Sequence, residues 1–142
     1  MRVDAAEAEV VGVLGAVGGA ARDEHAGEGD RQLCASRIHE RLGQSAPAVM
    51  HAARASEINP NYVEALVHLA GLETRLGRRT RAIELLERAI ACGADWPDIH
   101  CRTGELMIDC NAPEGARKHL SRALQLNADY TRAADALASL AA

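Results

Sequence analysis

The chain has 142 residues, a formal charge of −4 at pH 7 and very little aromatic material, none of it Phe. That length suits one compact domain or a short stack of repeated units, and a core without Phe must be assembled from Ala, Leu, Ile and Val, which favours closely packed helices. The weak acidic balance gives no general reason to bind nucleic acid or an acidic membrane surface, and no apolar run approaches the roughly 20 residues of a membrane-spanning helix.

At the start of the chain, Asp4 and Glu7 have capping-box spacing, and Val3, Val10, Leu14 and Val17 then share one helical face with Val13 beside it. Gly12, Gly15, Gly18 and Gly19 weaken that helix through backbone entropy. Residues 1–28 are therefore expected to hold an N-terminal packing helix and a linker, the polar, glycine-bearing stretch from Arg22 to Gly29. Partial disorder and the remnant of an earlier, diverged repeat are the competing readings of the helix. No dense basic segment precedes a hydrophobic one, so the start does not read as a secretion signal. Cys34, Cys92, Cys101 and Cys110 lack a Cys-dense framework around them and are expected as reduced thiols of a cytoplasmic protein.

Asp30 to Leu42 predicts a helix with Leu33, Cys34, Ile38 and Leu42 on its apolar side. Ser45 is the expected cap of the next helix, with Pro47 in the permissive first turn, and Val49, Ala52, Ala53 and Ala55 point inward until Asn59 and Pro60 end it. The stretch from Asn59 to Trp96 is the clearest. Ala65, Leu66, Leu69, Leu72 and Leu76 recur at helical steps from Tyr62 onward, and Ala82, Ile83, Leu86, Ala89 and Ile90 do so between Thr80 and Cys92. Only a short turn separates the two helices, with Gly77 able to close the first in the left-handed conformation. Asn61 and Glu64 have capping-box spacing. Pro97 suits the first turn of a third first-helix carrying Ile99, Thr103, Leu106 and Ile108. Asn111 and Glu114 again have capping-box spacing, and His119, Leu120, Ala123 and Leu124 follow. Asp129 or Tyr130 begins a last helix whose Ala133, Ala134, Leu137 and Leu140 are placed to cover the end of the stack.

The helix pairs superpose at a spacing of 34 residues. Ala48, Ala82 and Ala116 fall in register, as do Ala55, Ala89 and Ala123, the triplet Ser36, Ala70 and Gly104, the closing residues Ile58, Cys92 and Leu126, and the pairs Gly43 with Gly77 and Leu86 with Leu120. On these residues the chain resembles the tetratricopeptide repeat family. The proline that often follows the family's second helix appears only as Pro60, Ala94 and Ala128 standing at the equivalent places; the aromatic residue near the start of the first helix is absent, with Leu66 there in the central unit. The resemblance implies an all-α, right-handed α-solenoid of antiparallel helix pairs with terminal flanking helices. Its units are a divergent first one at 29–60, a second at 61–94, a third at 95–128 and a C-terminal capping helix at 129–142.

The same resemblance implies that successive first helices line a concave face. By repeat position that face draws on Leu33, Cys34, Arg37, Glu40 and Arg41, then Val67, His68, Gly71, Thr74 and Arg75, then Cys101, Arg102, Glu105, Ile108 and Asp109. Such a mixed groove suits an extended peptide or a partner helix of another protein better than a small metabolite. Some members of the family clamp a terminal carboxylate with lysine and asparagine. Leu33, Arg37, His68, Asp98 and Arg102 occupy the comparable places, so a dedicated clamp is not expected, whereas Arg37, Arg75 and Arg102 are candidates for pairing with an acidic peptide. The arginines around the central turn, Arg75, Arg78, Arg79 and Arg81, read as a solvated surface. The Cys and His residues lack metal-ligand spacing, no phosphate loop or H-E-x-x-H pair occurs, and no nucleophile, oriented base and pocket assemble. The expectation is a non-enzymatic adaptor or scaffold without metal or cofactor. The alternatives are a homo-oligomerising module acting through its terminal helices and, behind it, an enzyme or metal protein with a site assembled across repeats.

Overall fold

In a computed structural model, residues 24–141 are described, and the expected N-terminal packing helix lies outside them. Among the described residues there are seven helices and no strand: α1 (Glu24–Arg41), α2 (Ser45–Ile58), α3 (Val63–Arg75), α4 (Arg79–Ala91), α5 (Pro97–Asp109), α6 (Pro113–Leu126) and α7 (Thr131–Ala141). The chain divides into two compact units within α3, after Leu72.

In the first unit α1 packs on α2. Ala35, Ser36, Ala48, Ala52 and Ala55 have no exposed surface, so the helix axes come close, and the Ser36 hydroxyl donates across the contact to the Ala48 carbonyl at 2.6 Å. Leu33, Ala55 and Ala65 form a core cluster against which Tyr62 packs. The stretch expected as a linker is helical from Glu24. Gly27 and Gly29 are buried, and a Cβ on Gly29 would lie 3.7 Å from the Tyr62 ring. That is an ordinary van der Waals distance, so Gly29 packs beside Tyr62 within the helix. Leu42, expected on the apolar face, is 46% exposed, and the buried face runs through Leu33, Ser36 and His39 instead.

In the second unit α5 packs on both α4 and α6, and α7 covers α6. The α5–α7 cluster consists of Cys101, Ala116, Leu120, Ala123 and Ala133, with Ile108, Tyr130, Leu137 and Leu140 packed on it. Ala134, expected to cover the end of the stack, is exposed; Ala133 beside it is the buried residue. A Cβ on Gly104 would sit 2.6 Å from Leu120 Cγ and 3.3 Å from the Ala116 carbonyl oxygen. Ser36, at the same repeat position in the first unit, uses its side chain for the hydrogen bond to the Ala48 carbonyl.

Each first helix ends in the same turn. Gly43 (φ 73°), Gly77 (φ 79°) and Asn111 (φ 64°), spaced at 34 residues, are all left-handed. The bonds recur with them: Gly43 N–H to the Glu40 carbonyl and Gln44 N–H to His39, Gly77 to Thr74 and Arg78 to Glu73, Asn111 to Ile108 and Ala112 to Met107. This pairing satisfies the carbonyls left open at a helix end. It also corrects two capping expectations. Gln44 and Ala112 occupy the N-caps of α2 and α6 without side-chain cap bonds, because the left-handed residue just before each has set the entry of the chain. Ser45 is the first helical residue, and Asn111 closes α5 instead of capping α6. Pro97 and Pro113 stand in the first turns of their helices as expected.

Candidate partner-binding surface

The first-helix residues expected on an inner face divide between core, internal network and surface. In the first unit Leu33 is 1% exposed and belongs to the core; a register argument places it correctly on the helix but cannot see that Tyr62 covers it. Cys34, Val67 and Gly71 are half-buried, and Arg37 and Arg41 are exposed. Arg37 faces Glu64 at 3.6 Å. His68 Nε2 lies 3.0 Å from Ser36 Oγ and 3.4 Å from Glu40 Oε2. The single Ser36 hydroxyl hydrogen is committed to Ala48, so Ser36 Oγ accepts here and His68 carries its proton on Nε2. His68 is thereby a strut between α1 and α3.

In the second unit Cys101 is fully buried, and burial first, then the neighbouring Glu105 carboxylate, pushes its thiol up to about 11. It stays protonated and behaves as a small apolar residue. Thr74 and Arg102 are half-buried and Arg75 is exposed. Arg79 reaches Asp109 at 3.7 Å, Arg81 reaches Glu84 at 3.8 Å, and Arg78 reaches the buried Glu73 at 3.3 Å. The arginine-rich turn is thus a solvated, ion-paired surface.

Glu105, Ile108 and Asp109 do come together. They form one wall of an open groove of about 560 Å³, and Thr131, Arg132, Asp135, Ala136 and Ser139 of α7 form the other. Arg132 grips Glu105 with two donors, Nε at 3.0 Å and a terminal nitrogen at 2.8 Å, a geometry that orients both side chains. Asp135 makes no ion pair among the described residues. The four charged groups on the walls, three carboxylates and Arg132, leave the groove negative.

The inner-face reading missed the aromatic residues. The chain's only three, Tyr62, Trp96 and Tyr130, are 34 residues apart, each just ahead of a first helix. Tyr62 donates its hydroxyl to Asp30 at 2.6 Å, and burial together with that carboxylate raises its pKa. Tyr130 packs on the α5–α7 cluster, while Trp96 is 48% exposed. The signal was legible, since aromatic residues this scarce at the repeat period are themselves a repeat mark.

Neither a protein-family model nor a curated relative matches the chain. Solved structures do. The first tetratricopeptide domain of Spaghetti (RPAP3), bound to the HSP90 peptide SRMEEVD, superposes with a TM-score of 0.73 at 17% identity, over 80% of this chain and 90% of that one. MamA gives 0.75 at 15% identity, over 99% and 84%. Thermobaculum terrenum O-GlcNAc transferase gives 0.68 at 26% identity, over 84% of this chain but 23% of the enzyme. The fold is that of tetratricopeptide-repeat domains, an α-solenoid of antiparallel helix pairs.

Proposed function

We propose that the chain is a non-enzymatic adaptor that takes an extended peptide or partner helix of another protein on the first-helix face of its repeats. The observation that carries this reading is the groove between α5 and α7, whose lining combines the apolar Ile108 and Ala136 with charged side chains. Apolar contact combined with polar groups is the general form of a peptide-recognition groove. The RPAP3 domain of the same fold holds a peptide.

The ligand that fits is basic, not acidic. Glu105 is paired with Arg132 and Asp109 with Arg79, which leaves Asp135 as the groove carboxylate with no ion pair among the described residues, and Arg37, a candidate for an acidic ligand, already faces Glu64. An acidic peptide such as SRMEEVD meets like charge at Asp135, which costs specificity and association rate. The matching segment places a Lys or Arg beside an apolar residue.

The test is selection of a displayed random peptide library on the intact chain, followed by fluorescence anisotropy on the enriched sequences. Basic-apolar peptides are expected, bound about tenfold more weakly by Asp135→Lys, which corresponds to ~1.4 kcal/mol. Binding weaker at high salt follows from the exposed charges. Enrichment of acidic peptides, or affinity indifferent to Asp135→Lys and to Ile108→Asp, rejects the assignment.

A further inference from the structure

On the second-helix side of the second unit, four side chains form a line that the adaptor reading does not use. Arg122 donates through Nε to Asp95 Oδ1 at 3.1 Å and through a terminal nitrogen to Oδ2. Asp95 Oδ1 lies 2.7 Å from His100 Nε2, and His100 Nδ1 lies 3.1 Å from His119 Nδ1. The Asp95 carboxylate, held by the Arg122 guanidinium, only accepts, so His100 donates from Nε2, and in the neutral ring Nδ1 is a lone pair facing His119.

We propose that His100 and His119 bind a divalent cation of the zinc, copper or nickel class between their two Nδ1 atoms. Without the ion, the His119 Nδ1 hydrogen fills the space between the rings. The ion replaces that hydrogen: His119 releases its Nδ1 proton to solvent and takes one up at Nε2, leaving the ring neutral. At metal–nitrogen distances of 2.0–2.1 Å, two ligands of a tetrahedral centre stand about 3.4 Å apart, so the present pair must separate by a few tenths of an ångström and each ring must turn to aim its lone pair at an ion off the line between them. The carboxylate on the far side of His100 is the outer support that fixes tautomer and raises basicity in histidine metal sites. Both rings line an open groove of about 810 Å³ that also touches Glu87, Met107 and Lys118. Water supplies the remaining ligands, because among the described residues no three His, Cys, Asp or Glu side chains converge on one ion. Lys118 disfavours any cation at His119, which selects ions that bind imidazole strongly over magnesium or calcium.

The repeat register shows that packing does not require this pair. The same two positions hold Gln32 and His51 in the first repeat, hydrogen bonded at 2.7 Å, and Leu66 and Leu85 in the second, both buried.

Calorimetric titration of the intact chain with Zn²⁺ and Cu²⁺ tests the site. Trp96, the chain's one tryptophan, accepts the His100 backbone N–H on its carbonyl, so quenching of its fluorescence by Cu²⁺ reports binding locally. One ion per chain is expected, bound at least tenfold more weakly by His119→Asn, about tenfold more weakly by Asp95→Asn, and equally well by His51→Asn. Imidazole ¹⁵N shifts of the unaltered protein on adding Zn²⁺ locate the ligands without any variant, at Nδ1 of His100 and His119. The proposal is overturned by absence of saturable binding below millimolar ion, by one-site binding that His119→Asn leaves intact, or by shifts at other histidines.

Discussion

At Gly104 the third repeat has no side chain, and Leu120 lies where one would stand. The first repeat meets the same helix crossing with Ser36 and Ala52, the third with Gly104 and Leu120, and a Cβ at Gly104 would overlap Leu120 at 2.6 Å. Gly104→Ala is therefore expected to destabilise by about 1–3 kcal/mol through overpacking, despite the helix propensity it gains. In a Leu120→Ala background, itself about 2–5 kcal/mol weaker, the same change is expected to cost clearly less, the Ala116 carbonyl at 3.3 Å being the contact that remains. Urea denaturation of the four proteins measures the coupling, and additive costs would show that the clash is not what excludes the methyl group. His51 makes a second prediction at this scale. Its ring stacks on His39 at 5.2 Å, and burial first, then His39, lowers its pKa below the ordinary 6.5. The unfolded chain then binds the proton more readily, so His51's contribution is complete above about pH 6.5 and is lost as pH falls through the lower folded value. The unfolding midpoint of the parent is expected to drop more between pH 7.5 and 5.5 than that of His51→Gln.

The elements are delimited by their turns more than by their helices. Gly77 has no heavy atom within reach of an added Cβ, yet its φ of 79° strains any L side chain. Gly77→Ala should lose about 1–2 kcal/mol from backbone strain alone, while Gly77→Asn, the residue type that Asn111 supplies in the third repeat, should lose clearly less. A thermal melt that ranks Ala above Asn would contradict a backbone origin. The turns between repeats differ among themselves. Asn59 and Asn127 accept backbone hydrogens from Asn61 and Asp129 on their side-chain oxygens, whereas the middle repeat uses the left-handed Gly93. The final helix is a cover: Ala133 is buried, and Leu137 and Leu140 pack on the Cys101–Leu120 cluster. Ending the chain after Ala128 exposes that cluster, with a lower unfolding midpoint and concentration-dependent association by sedimentation as the expected result.

At the scale of the molecule, each of the two units carries a different surface chemistry on its first-helix side. In the first, His68, Ser36, Glu40, Arg37 and Glu64 are engaged with one another. In the second, the α5–α7 groove presents Asp135 unpaired among the described residues beside the fixed Glu105–Arg132 pair. Peptide affinity is therefore expected to respond to charge reversal at Asp135 and to be insensitive to Arg37→Ala, which exposed pairing makes worth little. Anisotropy titrations of both variants separate the two outcomes.

From Asp30 onward, helix positions, the 34-residue period and the small residues at the crossings were legible along the chain because backbone propensity and periodic burial are local, whereas the glycine-bearing stretch expected as a linker is helical from Glu24. Ala48, Ala82, Ala116, Ala55, Ala89 and Ala123 are indeed all without exposed surface. What covers a side chain is not local. Leu33 and Cys101 fall by repeat position on the inner face, yet both are core, with Tyr62 and Tyr130, met roughly thirty residues later, packed on their clusters. His100 and His119 carry no motif spacing and meet only because α5 and α6 pack antiparallel. Sequence specified which segments form helices and how tightly they cross; which polar atoms are left facing a partner or an ion was decided by tertiary packing, where residues distant in the chain compete for the same few ångströms.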